Sequence, residues 1–166
     1  EGEHITIQVY EDTSGIKPGE PVENTGEQLS VELGPGLLTS IYDGIQRPLE
    51  VLKQQMGDFI ARGVDAPGLD PEKQWEFKAI AKKGDKVSQG DVLGEVEETK
   101  GFIHKIMVPP NMEGQIKEIK AGKFKVDEPV VILNNGTKIA MRQRWPVRVS
   151  RPVKEKLAPF EPLITG

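Results

Sequence analysis

The sequence predicts a mainly β fold with one clear helix, and three observations lead to this prediction. The 166 residues include 18 Gly and 13 Pro, a content that favours many turns over long helices. Short runs in which apolar and polar residues alternate recur along the chain, as in strands that bury one face. Only one segment, which begins at Pro48, has apolar residues at helical spacing.

The composition argues against several classes of protein. The chain has no Cys, which excludes disulfides and thiolate metal sites. No apolar run approaches the roughly 20 residues that cross a bilayer, so we expect no direct insertion into a membrane. An aromatic content of 5% argues against an extended surface for stacking nucleic-acid bases. The net charge of −4 is uneven, because the residues from 138 to 156 are mostly basic where they are charged.

Residues 1–33 are expected to be the last strands of an N-terminal β-barrel. Residues 5–10 alternate apolar and polar side chains, and Leu29, Val31 and Leu33 continue the same pattern later. Nothing in this opening could close a barrel by itself. We therefore expect the barrel to be completed by strands that precede this sequence.

A connector, residues 34–47, leads to the only predicted helix, residues 48–62. Pro48 suits the first turn of a helix, and Gly63 suits the position just after its end. We interpret the apolar stripe of this helix as core packing rather than as a partner-binding face. The stripe consists of Leu49, Leu52, Met56, Phe59 and Ile60.

Short strands separated by turns predict a small barrel-sandwich over residues 75–133. The segments 84–93 and 122–131 each offer a Gly turn, a Val and a second apolar strand, which hints at an internal duplication. Two such halves that face each other would form the barrel-sandwich. The strand candidates are Glu76 to Ile80, Val92 to Val96, Ile103 to Val108, Gln115 to Ile119 and Pro129 to Leu133.

Residues 142–166 are expected to form a return strand that runs to residue 151, followed by an extended linker. Trp145, Val147 and Val149 alternate with basic residues, which favours a strand whose Arg side chains face solvent or an acidic neighbour. The alternative is a nucleic-acid-binding module, although we expect no nucleic-acid partner. Such a module would use Arg142, Arg144, Trp145, Arg148 and Arg151.

We predict no catalytic, cofactor-binding or metal-ligating residue in this chain. His4 and His104 lack the spacing of metal ligands, so each is interpreted as a surface or packing histidine. Glu95, Glu97 and Glu98 are interpreted as a solvated strand face. The connector glycines do not fit a phosphate-binding loop, which needs Gly-x-x-x-x-Gly-Lys-Ser/Thr. The isolated chain is therefore expected to be inactive.

Residues 76–133 resemble the lipoyl and biotinyl domains of swinging-arm carriers. Residues 97–101 would form the hairpin that presents a modifiable lysine, Lys100. The flanking residues differ from carriers, because Lys100 lies between Thr99 and Gly101 rather than in Asp-Lys-Ala or Met-Lys-Met. A shared barrel-sandwich fold explains the resemblance better, and modification of Lys100 is the alternative function.

Longer blocks of the sequence can be compared with known families. They are residues 9–16, 29–38, 42–49, 145–148 and 161–166, with Gly-Leu-Leu at 36–38, Tyr-Asp-Gly at 42–44 and Trp-Pro-Val-Arg at 145–148. In this order they resemble the catalytic A subunit of archaeal A-type and vacuolar V-type rotary ATPases. The resemblance extends over essentially the whole chain.

This resemblance implies that residues 48–141 are the non-homologous region, or bulge, of such a catalytic chain. The bulge would lie between the N-terminal β-barrel and the edge of an α/β nucleotide-binding domain. The implied role is docking and coupling in an ion-translocating complex on the cytoplasmic face of the cell membrane. The implied partners are the B subunit of that complex and its peripheral-stalk subunits. The whole catalytic chain would use ATP and Mg, and its catalytic residues would lie beyond residue 166.

Overall fold

The computed structural model describes residues 7–9, 12–24, 26, 28–57, 63–64, 66–151 and 160. These residues form ten strands and one helix, so the predicted fold class is confirmed. In chain order the elements are β1 (Ser30–Leu33), α1 (Leu49–Met56), β2 (Gln74–Ala79), β3 (Lys86–Val87), β4 (Val92–Thr99), β5 (Phe102–Met107), β6 (Gly114–Ile119), β7 (Gly122–Lys125), β8 (Pro129–Leu133), β9 (Lys138–Ala140) and β10 (Gln143–Pro146).

Eight of these strands form two four-stranded antiparallel sheets, which we call the barrel-sandwich domain. The first sheet has the order β5-β4-β2-β7, and the second has the order β9-β8-β6-β3. In the first half of the domain, β2, β4 and β5 belong to the first sheet, whereas β3 belongs to the second. In the second half, β6, β8 and β9 belong to the second sheet, whereas β7 belongs to the first, so the strands of the two halves pair in the same way. This topology agrees with the predicted duplication.

The barrel-sandwich domain extends past its predicted end at residue 133. Asn135 and Gly136 turn the chain back, and β9 then pairs with β8 so that Ile139 lies opposite Val131. Both of these side chains are buried in the core. The chain after this turn therefore forms β9, which completes the second sheet, before the predicted return strand begins, and the return strand itself contains the separate strand β10.

One hydrophobic core fills the space between the two sheets. Phe77 and Leu93 from the first sheet and Ile116 and Leu133 from the second are each at most 1% exposed. Burying a side chain of this size stabilises the fold by about 1.5–3 kcal/mol. Gly94 lies so close to Phe77 that an added Cβ would be 2.4 Å from its ring, so the packing leaves no room for a side chain there.

The helix α1 confirms only the first part of the predicted helix. Pro48 has an extended backbone and precedes the helix. Of the predicted stripe, Leu52 is buried, whereas Leu49 at the start of the helix is exposed, so the prediction of core packing is wrong for Leu49. The helix ends before Gly57, whose φ of 74° does not continue a helix, rather than at the predicted Gly63. Residues 58–62 lie outside the described residues. No helix in the part of the chain that the structure describes is long and apolar enough to cross a membrane.

The strand β1 pairs with β10 in a separate two-stranded sheet, with Val31 opposite Trp145. All residues of β1 are half-buried, and Leu29 is 55% exposed, so this segment does not show the predicted single buried face. Residues 7–9 are exposed and belong to no strand. Residues 1–6 lie outside the described residues, and the N-terminal barrel therefore stays a prediction.

Candidate functional site

Buried and half-buried polar side chains hold the connector against the barrel-sandwich domain and against β1. Glu98 of β4 binds the beginning of the connector. Gln46, near the end of the connector, binds Glu32 of β1, which lies just before its beginning. Tyr42 and Arg142 add contacts from the middle of the connector and from the segment after β9. We call these five residues the junction.

Glu98 is the centre of the first contact, and its side chain is 1% exposed. Its Oε1 accepts hydrogen bonds from the backbone N–H of Gly36 at 2.7 Å and of Leu38 at 3.0 Å. Its Oε2 lies 3.2 Å from Nδ1 of His104. Hydrogen bonds to a charged group contribute about 1.5–3 kcal/mol each. The buried carboxylate therefore orders the turn that begins the connector.

The backbone at Gly36 allows this contact. Its φ of 115° lies in a region that residues with side chains rarely adopt, and Cζ2 of Trp75 would be 3.4 Å from an added Cβ. At Gly34, an added Cβ would be 2.7 Å from Cδ1 of Leu69. The Gly-Pro-Gly turn therefore packs closely against the barrel-sandwich domain because neither glycine carries a side chain.

His104 completes the set of groups around the carboxylate of Glu98. Burial lowers the pKa of His104 below its ordinary value of 6.5, although the adjacent Glu98 favours the protonated ring. The positive charge of Arg151 lowers the pKa further. A neutral ring with its proton on Nδ1 donates to Glu98 and so supplies the third hydrogen bond of the carboxylate.

The second contact joins β1 to the end of the connector. The backbone N–H of Glu32 donates to Oε1 of Gln46, and Nε2 of Gln46 donates to the carbonyl of Glu32, both at 2.6 Å. The carboxylate of Glu32 accepts from the N–H of Gly68 and from Nη1 of Arg142, each at 3.1 Å. Nε of Arg142 also lies 2.6 Å from Oδ1 of Asp127, so this guanidinium joins two carboxylates.

The Tyr-Asp-Gly segment forms a compact loop within the connector. The hydroxyl of Tyr42 donates to the carbonyl of Gly68 at 2.8 Å. Asp43 accepts from the backbone N–H of Ile45 and Arg47, and from Nε of Arg47 at 2.7 Å. Burial raises the pKa of Asp43, but these hydrogen bonds outweigh it, so the pKa is lowered overall. Asp43 therefore stays ionised and holds the loop together.

A cleft of about 410 Å³ lies beside the junction. Tyr42 and Trp75 line it, and Nζ of Lys73 lies 4.0 Å from the centroid of the Trp75 ring. The hydroxyl of Ser40, which also lines the cleft, donates to the carbonyl of Gly36 rather than to a base. Ser40 is therefore not activated as a nucleophile by a neighbouring base.

The segment from Arg142 to Arg151, which the nucleic-acid hypothesis uses, does not form an exposed surface around Trp145. This tryptophan is 3% exposed, and its Nε1 donates to the carbonyl of Val149 at 2.7 Å. The same hydrogen bond folds the chain back after Pro146, so the predicted strand as far as residue 151 is wrong and Val147 is exposed. Because Trp145 is buried, it is not available to stack on a base, as the nucleic-acid hypothesis requires.

Lys100 lies at the tip of the hairpin between β4 and β5. Thr99 pairs with Phe102, so Lys100 and Gly101 form a two-residue turn, and Lys100 is exposed. Lys105 lies within β5, opposite a residue of β4. Only Lys100 of these two has the projecting position that a carrier lysine needs.

The three glutamates of β4 do not share one solvated face, so the interpretation of Glu98 is corrected. Glu97 is exposed, whereas Glu98 follows the buried Val96 at two-residue spacing and points to the same buried side. This spacing was the signal in the sequence that could have identified Glu98. Among the described residues, no group of three or more His, Asp or Glu is placed to hold a metal ion.

Together, the fold and the junction define a structural module. Two sheets with a repeated strand order form the barrel-sandwich domain, and buried polar contacts attach it to a connector. The family model for the barrel-sandwich domain of the ATP synthase alpha/beta subunit matches residues 66–148. The model of the beta-barrel domain of the ATP synthase alpha/beta family matches residues 1–26.

Curated relatives are similar to this chain over its whole length. It is 68% identical to an A subunit of the A-type ATP synthase of Methanospirillum hungatei and 65% identical to that of Methanoregula boonei. It is 61% identical to the corresponding A subunit of Methanosarcina barkeri. Each match covers at least 99% of this chain and 28% of the relative. The chain belongs to the family of archaeal A-type ATP synthase A subunits, which confirms the resemblance found in the sequence.

Proposed function

We propose that this chain is a non-catalytic structural segment of the A subunit of a V/A-type, proton- or sodium-translocating ATP synthase. In this proposal the barrel-sandwich domain docks onto the peripheral stalk. The observation that carries the proposal is the junction, in which the buried carboxylate of Glu98 joins the domain to the connector. A domain that resists force between a stalk and a catalytic chain needs an attachment that does not hinge freely.

The junction supports a stiff attachment because it holds the connector at two separate places. Glu98 binds the backbone at Gly36 and Leu38, near the beginning of the connector. The end of the connector is attached through Glu32: Gln46 binds the backbone of Glu32, and the carboxylate of Glu32 binds Arg142, whose Nε lies 2.6 Å from Asp127 in the turn before β8. A rotation of the domain about one contact would have to break the other, so the two together restrict hinge motion.

In this proposal, nucleotide binding and catalysis belong to other parts of the complex. The rest of the A subunit would bind ATP with Mg and would carry the catalytic residues. The B subunit of the complex and the peripheral-stalk subunits would be the partners, and the complex would lie on the cytoplasmic face of the cell membrane. The curated relatives named above are A subunits of A-type ATP synthases, which supports the assignment of this segment to such a complex.

Deletion of the bulge from the complete A subunit tests the proposal. We expect a protein in which a short linker replaces residues 48–141 to bind purified peripheral-stalk subunits at least about tenfold more weakly than the intact protein, because the docking surface is removed. Nucleotide binding by both proteins, measured in parallel, is the control for correct folding of the remainder. Equal affinity for the stalk subunits would contradict the proposal.

A second candidate function rests on the position of Lys100. An exposed lysine on a two-residue turn is the geometry that a lipoyl or biotinyl carrier requires. Co-expression with a lipoyl or biotin ligase, followed by intact-mass measurement, tests it. An adduct that disappears in Lys100→Arg would support the carrier function, and an unmodified mass would reject it.

A further inference from the structure

The two sheets of the barrel-sandwich domain differ in how charges are arranged on their outer faces. In an antiparallel sheet, residues directly opposite each other on neighbouring strands share a face, and opposite charges there attract. The register of each sheet therefore tells which exposed charges are already balanced within the domain. Charges that are not balanced are available to a partner.

The outer face of the first sheet balances its own charges. Glu95 of β4 lies opposite Lys78 on one side and Lys105 on the other. Glu76 of β2 lies opposite Lys123 of β7. At the edge of the sheet, Nζ of Lys125 lies 2.6 Å from the carboxylate of Glu72. The lysines of this face therefore each have an acidic neighbour.

The outer face of the second sheet has a different arrangement. Lys86 of β3 lies opposite Gln115 of β6, and Glu118 of β6 lies opposite Ile132 of β8. Ile132 in turn lies opposite Lys138 of β9. With the exposed Lys117, these residues form a surface that we call the lysine face. It consists of Lys86, Gln115, Lys117, Glu118, Ile132 and Lys138.

The lysine face carries three lysines and one glutamate, on a chain whose net charge is −4. The carboxylate of Glu118 lies 3.9 Å from Nζ of Lys120, which borders the face. Within the described part of the chain, Lys86, Lys117 and Lys138 form no ion pair, and neither do Lys78, Lys105 and Lys123 of the first sheet. The two faces differ in register: Lys78, Lys105 and Lys123 each lie directly opposite a glutamate, whereas Lys86 and Lys138 lie opposite the uncharged Gln115 and Ile132. The acid adjacent to Lys86 in sequence is Asp85, whose carboxylate accepts from the N–H of Lys82, and the acid adjacent to Lys117 is Glu118, whose carboxylate lies near Lys120 instead.

We infer that the lysine face is a docking surface for an acidic protein surface. This inference rests on the proposed function and names the part of the barrel-sandwich domain that would meet the stalk. The half-buried Ile132 supplies an apolar centre, and the three unpaired lysines surround it as a charged rim. Charge complementarity of this kind selects a partner and accelerates its association. A nucleic acid fits less well, because the face contains no aromatic side chain for stacking.

Two matched triple variants of the full-length chain test this inference. The first, Lys86→Gln, Lys117→Gln and Lys138→Gln, neutralises the lysine face. The second, Lys78→Gln, Lys105→Gln and Lys123→Gln, removes the same charge from the first sheet. Glutamine preserves most of the side-chain length and avoids repulsion of nearby acids. The probe is the purified peripheral-stalk subunits of an A-type ATP synthase, and circular dichroism and thermal unfolding confirm that both variants fold.

We expect the first variant to bind the stalk subunits at least about tenfold more weakly than the unchanged chain, with a slower association rate, and the second to bind nearly normally. The difference should shrink at about 1 M salt, where the screening length falls to about 3 Å. If the unchanged chain binds and both variants bind equally well, the inference is wrong and the proposed function stands. If the unchanged chain does not bind the stalk subunits, both fail. Binding of a polynucleotide that requires the three lysines would also overturn it, in favour of a nucleic-acid partner.

Discussion

At the scale of single residues, the neighbours Glu97 and Glu98 show that position on a strand decides what a carboxylate does. Glu97 is exposed, and its cross-strand neighbour is Ile103. Glu98 is buried and accepts two backbone N–H groups of the connector. Two chemically identical side chains therefore differ in their expected contribution to stability.

The first prediction compares these two carboxylates. We expect Glu98→Gln to lower the free energy of unfolding by about 1–3 kcal/mol, because a neutral amide accepts hydrogen bonds less strongly and places an NH₂ group toward His104. Glu97→Gln is the matched control, and we expect it to change stability by less than about 0.5 kcal/mol. Urea denaturation of both variants measures the difference. Equal effects of the two substitutions would show that Glu98 does not hold the connector.

The second prediction concerns His104 and pH. Since burial lowers its pKa in the folded chain, the unfolded chain binds this proton more tightly. Stability should therefore be complete above the unfolded pKa of about 6.5 and should decrease as the pH falls toward the lower folded pKa.

His104→Gln should remove this part of the pH dependence. We would compare the slope of unfolding free energy against pH, from about pH 7 to pH 5, in the variant and the unchanged chain. His4 is present in both proteins, so its contribution cancels in the comparison. Identical slopes would mean that His104 titrates alike in the folded and unfolded chains.

At the scale of elements, the connector depends on a backbone conformation that only glycine adopts easily. Gly36 has a φ of 115° and presents its N–H to Glu98. Gly44 lies in the same connector, but nothing comes within 4 Å of an added Cβ there. These two glycines therefore separate the effect of backbone strain from the effect of adding a methyl group.

The third prediction uses this pair. We expect Gly36→Ala to lower the free energy of unfolding by about 1–3 kcal/mol, because alanine is strained at the positive φ of this position. Gly44→Ala should change stability by less than about 0.5 kcal/mol. Thermal unfolding monitored by circular dichroism measures both. A loss of stability in Gly44→Ala equal to that in Gly36→Ala would contradict the role of the turn.

At the scale of the whole molecule, the junction and apolar packing attach the connector to the barrel-sandwich domain. Leu69, which packs against Gly34, belongs to the same core as residues of both sheets. The connector is therefore held by apolar packing as well as by Glu98. We expect it to open together with the domain rather than separately.

The fourth prediction tests this cooperativity by amide hydrogen exchange. The amides of Gly36 and Leu38 should exchange slowly in the unchanged chain, and about tenfold or more faster in Glu98→Ala, because their acceptor is removed. The amide of Glu32 is bonded to Gln46 instead and is the internal control. Fast exchange at Gly36 and Leu38 in the unchanged chain would show that the connector opens independently.

Local patterns predicted much of the fold, because strand periodicity and turn residues act over a few positions. The predicted strand from Pro129 to Leu133 coincides with β8, and the duplicated pattern corresponds to the repeated order of the two sheets. The strand predicted through residue 151 failed because the indole of Trp145 bonds to the carbonyl of Val149. That contact depends on how the chain folds back, and no alternation of residue types reports it.

The sequence by itself determined the fold class and the family. Short-range alternation and turn residues indicate the fold class, and motifs that occur in order along the chain identify the family. The sequence also placed Lys100 next to a turn. Only the tertiary structure decided that Glu98 binds the connector 60 residues away, since such a contact exists only once distant segments are brought together. The same holds for the lysine face, because the register between strands, not their order in sequence, decides which charges are balanced.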